Sequence, residues 1–185
     1  MSQKPETIAE QIGSATGDKT RPPIDQWHPE LSGDIDIVVN RHGEWLYQGK
    51  QMTREAIVRL FSTILRREED GHYYLVTPVE KWRIQVEDTP LLAHTLVVEG
   101  QGKDRTLSVT TNVGEAVDID DTHPLSVGAY SDTGAPRPVI LMDHGLEARL
   151  VTSAYYDLAE LIAAEELAPE TPMGVWSHGN FYKIA

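Results

Sequence analysis

The chain has 185 residues, 40% of them hydrophobic and 24% charged, enough for one ordinary domain or two small ones that hide roughly 70% of the unfolded surface. Sixteen Lys and Arg face 29 Asp and Glu, and the formal charge of -13 repels polyanions, so nucleic acid is not an expected partner. There is no cysteine, which excludes disulfides, thiolate nucleophiles and sulfur-ligated metal sites.

No apolar run approaches the roughly 20 residues that span a bilayer, and MSQKPETIAEQIGSATGDKT lacks the apolar stretch of a secretory signal. The expectation is a cytoplasmic protein with no membrane association. Residues 1–26 read as a polar arm with one helical turn around Ile8 to Ile12, a Gly/Ser/Thr stretch and Pro22-Pro23; Trp27 is its expected anchor.

DIDIVV (34–39) alternates, NRHGE (40–44) supplies turn residues and Trp45-Leu46-Tyr47 resumes a strand, which predicts a hairpin. Thr53 offers an N-cap, and Ala56, Ile57, Leu60, Phe61, Ile64 and Leu65 recur at helical spacing. Arg66-Arg67 complement the C-terminal dipole of that helix, and EEDG (68–71) releases the chain into GHYYLV (71–76). Alternation resumes through 83–86 and 91–98, and Gly100-Gln101-Gly102 is the expected domain boundary. Further strands are predicted at 107–111, 116–119, 125–130 and 139–142, the last two separated by the loop SDTGAPRP (131–138).

The two halves resemble each other. IVVNRHGEWLY (37–47) and VILMDHGLEARL (139–150) both enter a His-Gly turn. A helix follows each, from Thr53 and from Ser153, and an aromatic strand follows each helix, GHYYLV and GNFYKI (179–184). This predicts an α+β fold of two duplicated subdomains, residues 27–100 and 101–185, each a small mainly antiparallel sheet with one amphipathic helix.

Chemical motifs are nearly absent. EGQGKDR (99–105) lacks phosphate-loop spacing, no Ser lies in Gly-x-Ser-x-Gly, and the seven histidines include no pair two or four apart. His42 and His144 occupy matching turns and read as structural, so no metal and no cofactor is expected. Shared positions are most simply scaffold, and positions unique to one copy are freer to carry function. Thr77 to Lys81 extend past the point where the second copy ends, and Arg66-Arg67 face only Glu165-Glu166 in the second helix. Arg66, Arg67, Thr77 and Lys81 could therefore gather around an anion; the competing reading is a Glu80 to Lys81 pair beside dipole-compensating arginines. TTNVGE (110–115) and His123-Pro124 add polar side chains at strand ends.

PPIDQWHPELSGDIDI (22–37), LFSTILRREEDGHYYLVTPVEKWRIQVED (60–88), TTNVGE with His123-Pro124-Leu125, and GVWSHGNFYKI (174–184) together resemble the bacterial domain-of-unknown-function family 1285. The resemblance implies a duplicated two-part α+β fold whose C-terminal part looks like a pleckstrin-homology domain. It also implies a pocket between the halves for a nucleotide-like ligand and a role in signal transduction. The family-like polar positions are Arg66, Thr77, Glu80, Lys81, Asn112, Glu115 and His123. SHGNFYKIA departs from the more glycine-rich pattern of the family at this strand.

The expected function is non-catalytic binding of a small, nucleotide-like molecule between the subdomains. Thr77, Lys81 and Arg66 would hold its anionic group, and Asn112 and His123 would orient the rest. One alternative is an enzyme with Glu80 and His123 as acid and base. Another is a module that binds a protein partner at a sheet edge.

Overall fold

Ile35, Ile37 and Val39 alternate with exposed or half-buried neighbours, so β1 (Leu31–Val39) buries one face, as its sequence predicts. The computed structural model in which this is seen describes residues 4–16, 21–165 and 168–185; residues 1–3 and 17–20 of the predicted arm, and Glu166, lie outside these. Asn40 closes the turn after β1, its Oδ1 accepting the N–H groups of His42 and Glu44 at 3.0 Å each. β2 (Trp45–Tyr47) and β3 (Lys50–Gln51) complete a meander.

Helix α2 (Glu55–Thr63) buries Ile57 and Phe61, and the Phe61 ring packs on Trp45 at 6.1 Å between centroids. Its N-cap is Arg54 with no capping side chain, not Thr53. The helix also stops before Leu65, where apolar spacing would have carried it. Ile64 and Leu65 are both fully buried, Ile64 O accepts Val76 N–H at 3.0 Å, and the chain enters β4 (Leu65–Arg67). Strand pairing thus outweighs a helical periodicity that can bury only one stripe, and Arg66-Arg67 sit on a strand, not at a helix end.

β5 (Tyr73–Val76) and β6 (Lys81–Val86) finish a six-stranded sheet in the order β3-β2-β1-β6-β5-β4, with β1 and β6 parallel and every other pair antiparallel. The expected polar arm contains a true helix, α1 (Pro5–Thr16), which packs on α2. Pro5 suits its first position, and Ile8 and Ile12, four residues apart, are fully buried. Trp27 is half-buried.

The second sheet comprises β7 (Leu91–Glu99), β8 (Thr106–Thr111), β9 (Ala116–Asp118), β10 (Leu125–Ala129), β11 (Pro136–Leu141) and β12 (Glu147–Leu150), in the order β10-β11-β12-β7-β8-β9. Here β12 and β7 are the parallel pair. Helix α3 (Thr152–Ala163) buries Ala154, Leu158 and Ile162 and packs on β7 and β12. β13 (Gly174–Ser177) and β14 (Asn180–Lys183) form a separate two-stranded hairpin. Ser177 ties it to the second sheet: its Oγ accepts Leu107 N–H at 2.9 Å and donates to Ile119 O at 2.6 Å. Buried Arg105 pairs with Glu165.

The fold is thus α+β with two similar six-stranded mixed sheets. In both, the chain leaves a central strand for one edge, then returns from the other edge to a central strand parallel to the first. That symmetry changes the internal alignment. It sets β1–β2 against β7–β8 and β5–β6 against β11–β12, instead of 37–47 against 139–150. GNFYKI falls in the outlying hairpin, so it is no counterpart of β5. The His-Gly turns and aromatic strands are alike locally, but backbone pairing decides position in a sheet. Thr77 to Glu80 consequently match the β11–β12 turn and are not an addition peculiar to the first copy.

The compact units are Met1–Pro90 with His144–Leu146, and Leu91–Asp143 with Glu147–Ala185. Gly100-Gln101-Gly102, the expected boundary, leads into the β7–β8 turn inside the second sheet. Gly100 has φ 73, and a Cβ there would lie 2.9 Å from Asp104 O, so a turn that tight needs glycine.

Candidate functional site: a charged row across the first sheet

All four residues of β5 are buried, on both faces of the strand. One face meets the apolar core through Tyr73 and Leu75. The other is covered by polar side chains, because antiparallel pairing places Arg66 beside Tyr74 and Tyr74 beside Arg83, and parallel pairing adds Asp34 beside Arg83. Asp34, Arg83, Tyr74 and Arg66 thus form one row across four strands. Lys81 joins the same face two residues before Arg83.

Partners fix each member. Asp34 receives two hydrogen bonds from Arg83, at 2.8 and 2.9 Å, and its carboxyl is held below the usual range first by those bonds and then by the guanidinium charge. Tyr74 donates to Asp70; that bond, then burial, pushes the Tyr74 phenol up to about 12.

Glu68 sits between two cations, 2.8 Å from Arg66 and 3.0 Å from Lys81. Burial alone would raise its pKa, but the hydrogen bonds and charges of Arg66 and Lys81 outweigh burial and hold the carboxyl below its ordinary value. The three side chains are only 14%, 17% and 25% exposed for Arg66, Lys81 and Glu68, so water screens them weakly.

Each cation has a partner besides Glu68. Arg66 Nη1 also donates to the carbonyls of Ile24 and Trp27 at 2.9 and 3.0 Å, and Lys81 Nζ stands 4.7 Å from the centre of the Tyr74 ring. Beside this group lies an open depression of about 470 Å³, lined by Asp25, His28, Arg66, Arg67, Glu68, Glu69 and Asp70. Its acids outnumber its cations, an arrangement that disfavours a polyphosphate and suits a ligand with one anionic group and hydrogen-bond donors elsewhere.

The structure therefore brings Arg66 and Lys81 together, as the sequence suggests, but through Glu68. Thr77 and Glu80 are turn residues: fully buried Thr77 Oγ1 accepts Glu80 N–H at 2.9 Å, and Glu80 Oε2 lies 3.4 Å from Trp82 Nε1. An anion-holding role for Thr77 conflicts with that burial.

Asn112, Glu115 and His123 belong to the second unit. Asn112 clips the β8–β9 turn to β7, exchanging bonds with the Leu92 backbone at 2.9 and 3.0 Å. Glu115 donates its N–H to Thr111 Oγ1 at 3.1 Å. His123 has Nδ1 3.0 Å from Thr122 Oγ1 and Nε2 3.6 Å from Asp143. Among the described residues no group of three or more His, Asp and Glu could hold a metal ion, and no helix is long and apolar enough to cross a membrane.

Glu68 is the member of the group that the sequence does not single out, because EEDG (68–71) reads as a turn. Its signal was parity: it lies two residues beyond Arg66, just past the end of β4, where the alternation of the strand carries it to the same face.

The family model described as the N-terminal domain of a domain of unknown function, DUF1285, matches residues 22–89. The model for the DUF1285 C-terminal domain, described as a protein of unknown function, matches residues 90–184. A crystal structure of a DUF1285 family protein from Silicibacter pomeroyi DSS-3 is similar, with 38% identity, 94% of this chain and 93% of that chain covered, and a TM-score of 0.80. Another, from Shewanella baltica OS155, shows 29% identity over 67% of this chain and 90% of its own, with a TM-score of 0.52. No curated protein matches the chain.

Proposed function

The chain belongs to the DUF1285 family, and from that premise and the geometry of its first sheet we propose that it is a non-catalytic binding protein for a small, nucleotide-like molecule carrying one anionic group. The observation that supports this reading is the seating of Arg66 on two backbone carbonyls and of Lys81 on the Tyr74 ring. Two cations that each have a partner besides their carboxylate form a preorganised seat for an anion, and preorganisation lowers the entropic cost of binding.

Glu68 occupies that seat in the structure described, and the ligand's phosphate or carboxylate replaces it. Glu69 and Asp70 then accept donors such as exocyclic amines, which favours a monophosphate over a triphosphate. A sensory part in cytoplasmic signal transduction fits a binder whose ligand exchanges with an internal group.

The test is a thermal-shift screen of nucleoside monophosphates and small carboxylates. A stabiliser whose effect disappears in Lys81→Ala supports the reading. A broad panel without any stabiliser, or one equally effective on Lys81→Ala, contradicts it.

A further inference from the structure

The first unit holds a second concavity, away from the charged row. A cavity of about 290 Å³ lies where α1, the β2–β3 hairpin and the start of α2 meet. Ile57, 7% exposed, and half-buried Tyr47 and Met52 give it an apolar lining. Lys50 and Arg54 stand at its rim, both exposed and neither in an ion pair among the described residues. Glu6 is the one carboxylate in the lining, so the cavity is net positive in a chain whose formal charge is -13.

We infer that this cavity is a binding site for a small amphipathic anion, a single aromatic ring bearing one carboxylate or phosphate. The size argues for one ring, since it falls at the bottom of the roughly 300–1,000 Å³ typical of small-molecule sites. The polarity argues for the anion: the ring body lies against Tyr47, Met52 and Ile57, and the charge turns outward to Lys50 and Arg54. Guanidinium and ammonium together at a rim receive a carboxylate or phosphate oxygen without burying either cation. The site shares no lining residue with the depression beside Glu68.

The experiment follows backbone amide shifts of residues 47–57 while the full chain is titrated with benzoate, phenyl phosphate, benzyl alcohol or benzylamine. Expected are saturable shifts with the two anions, and binding at least about tenfold weaker in Lys50→Ala/Arg54→Ala, a loss of about 1.4 kcal/mol. Both substituted side chains are exposed, so amides elsewhere keep their positions and report an intact fold. The inference is overturned if neither anion saturates by roughly 10 mM, if benzyl alcohol or benzylamine binds as tightly as benzoate, or if the double variant binds benzoate unchanged. In Lys81→Ala the benzoate titration is expected to be unaltered, so this site and the one proposed above fail or stand separately.

Discussion

Replacing Glu68 by glutamine keeps the shape of the side chain and removes its charge from between Arg66 and Lys81. Hydrogen bonds to charged groups contribute about 1.5–3 kcal/mol each, and breaking a fully buried ion pair costs about 3–5 kcal/mol. These three side chains are mostly but not wholly buried, and both cations keep other partners. The expected loss near pH 7 is therefore about 2 kcal/mol, or about 4–8 °C in Tm for a chain of this size. The pH dependence has a definite sign. Because the folded carboxyl titrates below the unfolded value of about 4.3, its contribution is complete above that pH and is lost as pH falls through the folded pKa. Thermal melts of both proteins across pH are expected to show a gap near neutrality that closes in acid below about pH 4. An equal Tm near pH 7, or a gap of the same size at about pH 3, would refute the reasoning.

Ser177→Ala strips the acceptor from Leu107 N–H and the donor from Ile119 O at a fully buried position, so about 2–4 kcal/mol is expected to be lost in urea unfolding. A loss under about 0.5 kcal/mol would contradict the linkage between the outlying hairpin and the second sheet. Tyr74 is expected to ionise at about 12, and Asp70→Asn to bring it back toward the ordinary value near 10; ultraviolet titration of both proteins reads this directly.

Local signals in the sequence carried most of the elements. Alternation at Ile35, Ile37 and Val39 gave β1, and the spacing of Ile57 and Phe61 gave α2. What failed was whatever depended on partners distant in sequence. Ile64 and Leu65 continue the helical spacing, and only pairing with β5 shows that Leu65 opens a strand. Similarity between 71–76 and 179–184 looked like a repeat, yet the repeat is one of strand order, which no short segment encodes. The site followed the same division. Arg66 and Lys81 were legible as basic side chains at positions read as peculiar to the first copy, an alignment that the strand order replaces. Glu68 was hidden in an apparent turn, and Thr77, singled out as part of a segment read as peculiar to the first copy, spends its hydroxyl on its own turn.

The central claim is that Arg66 and Lys81 form an anion seat with Glu68 as its internal occupant. Calorimetric titration of the best nucleoside monophosphate from the screen into the unmodified chain, Glu68→Gln and Lys81→Ala tests it most directly. The account predicts binding tightened about tenfold in Glu68→Gln, where the competitor has lost its charge, and abolished in Lys81→Ala. Affinity unchanged or weakened in Glu68→Gln would contradict it.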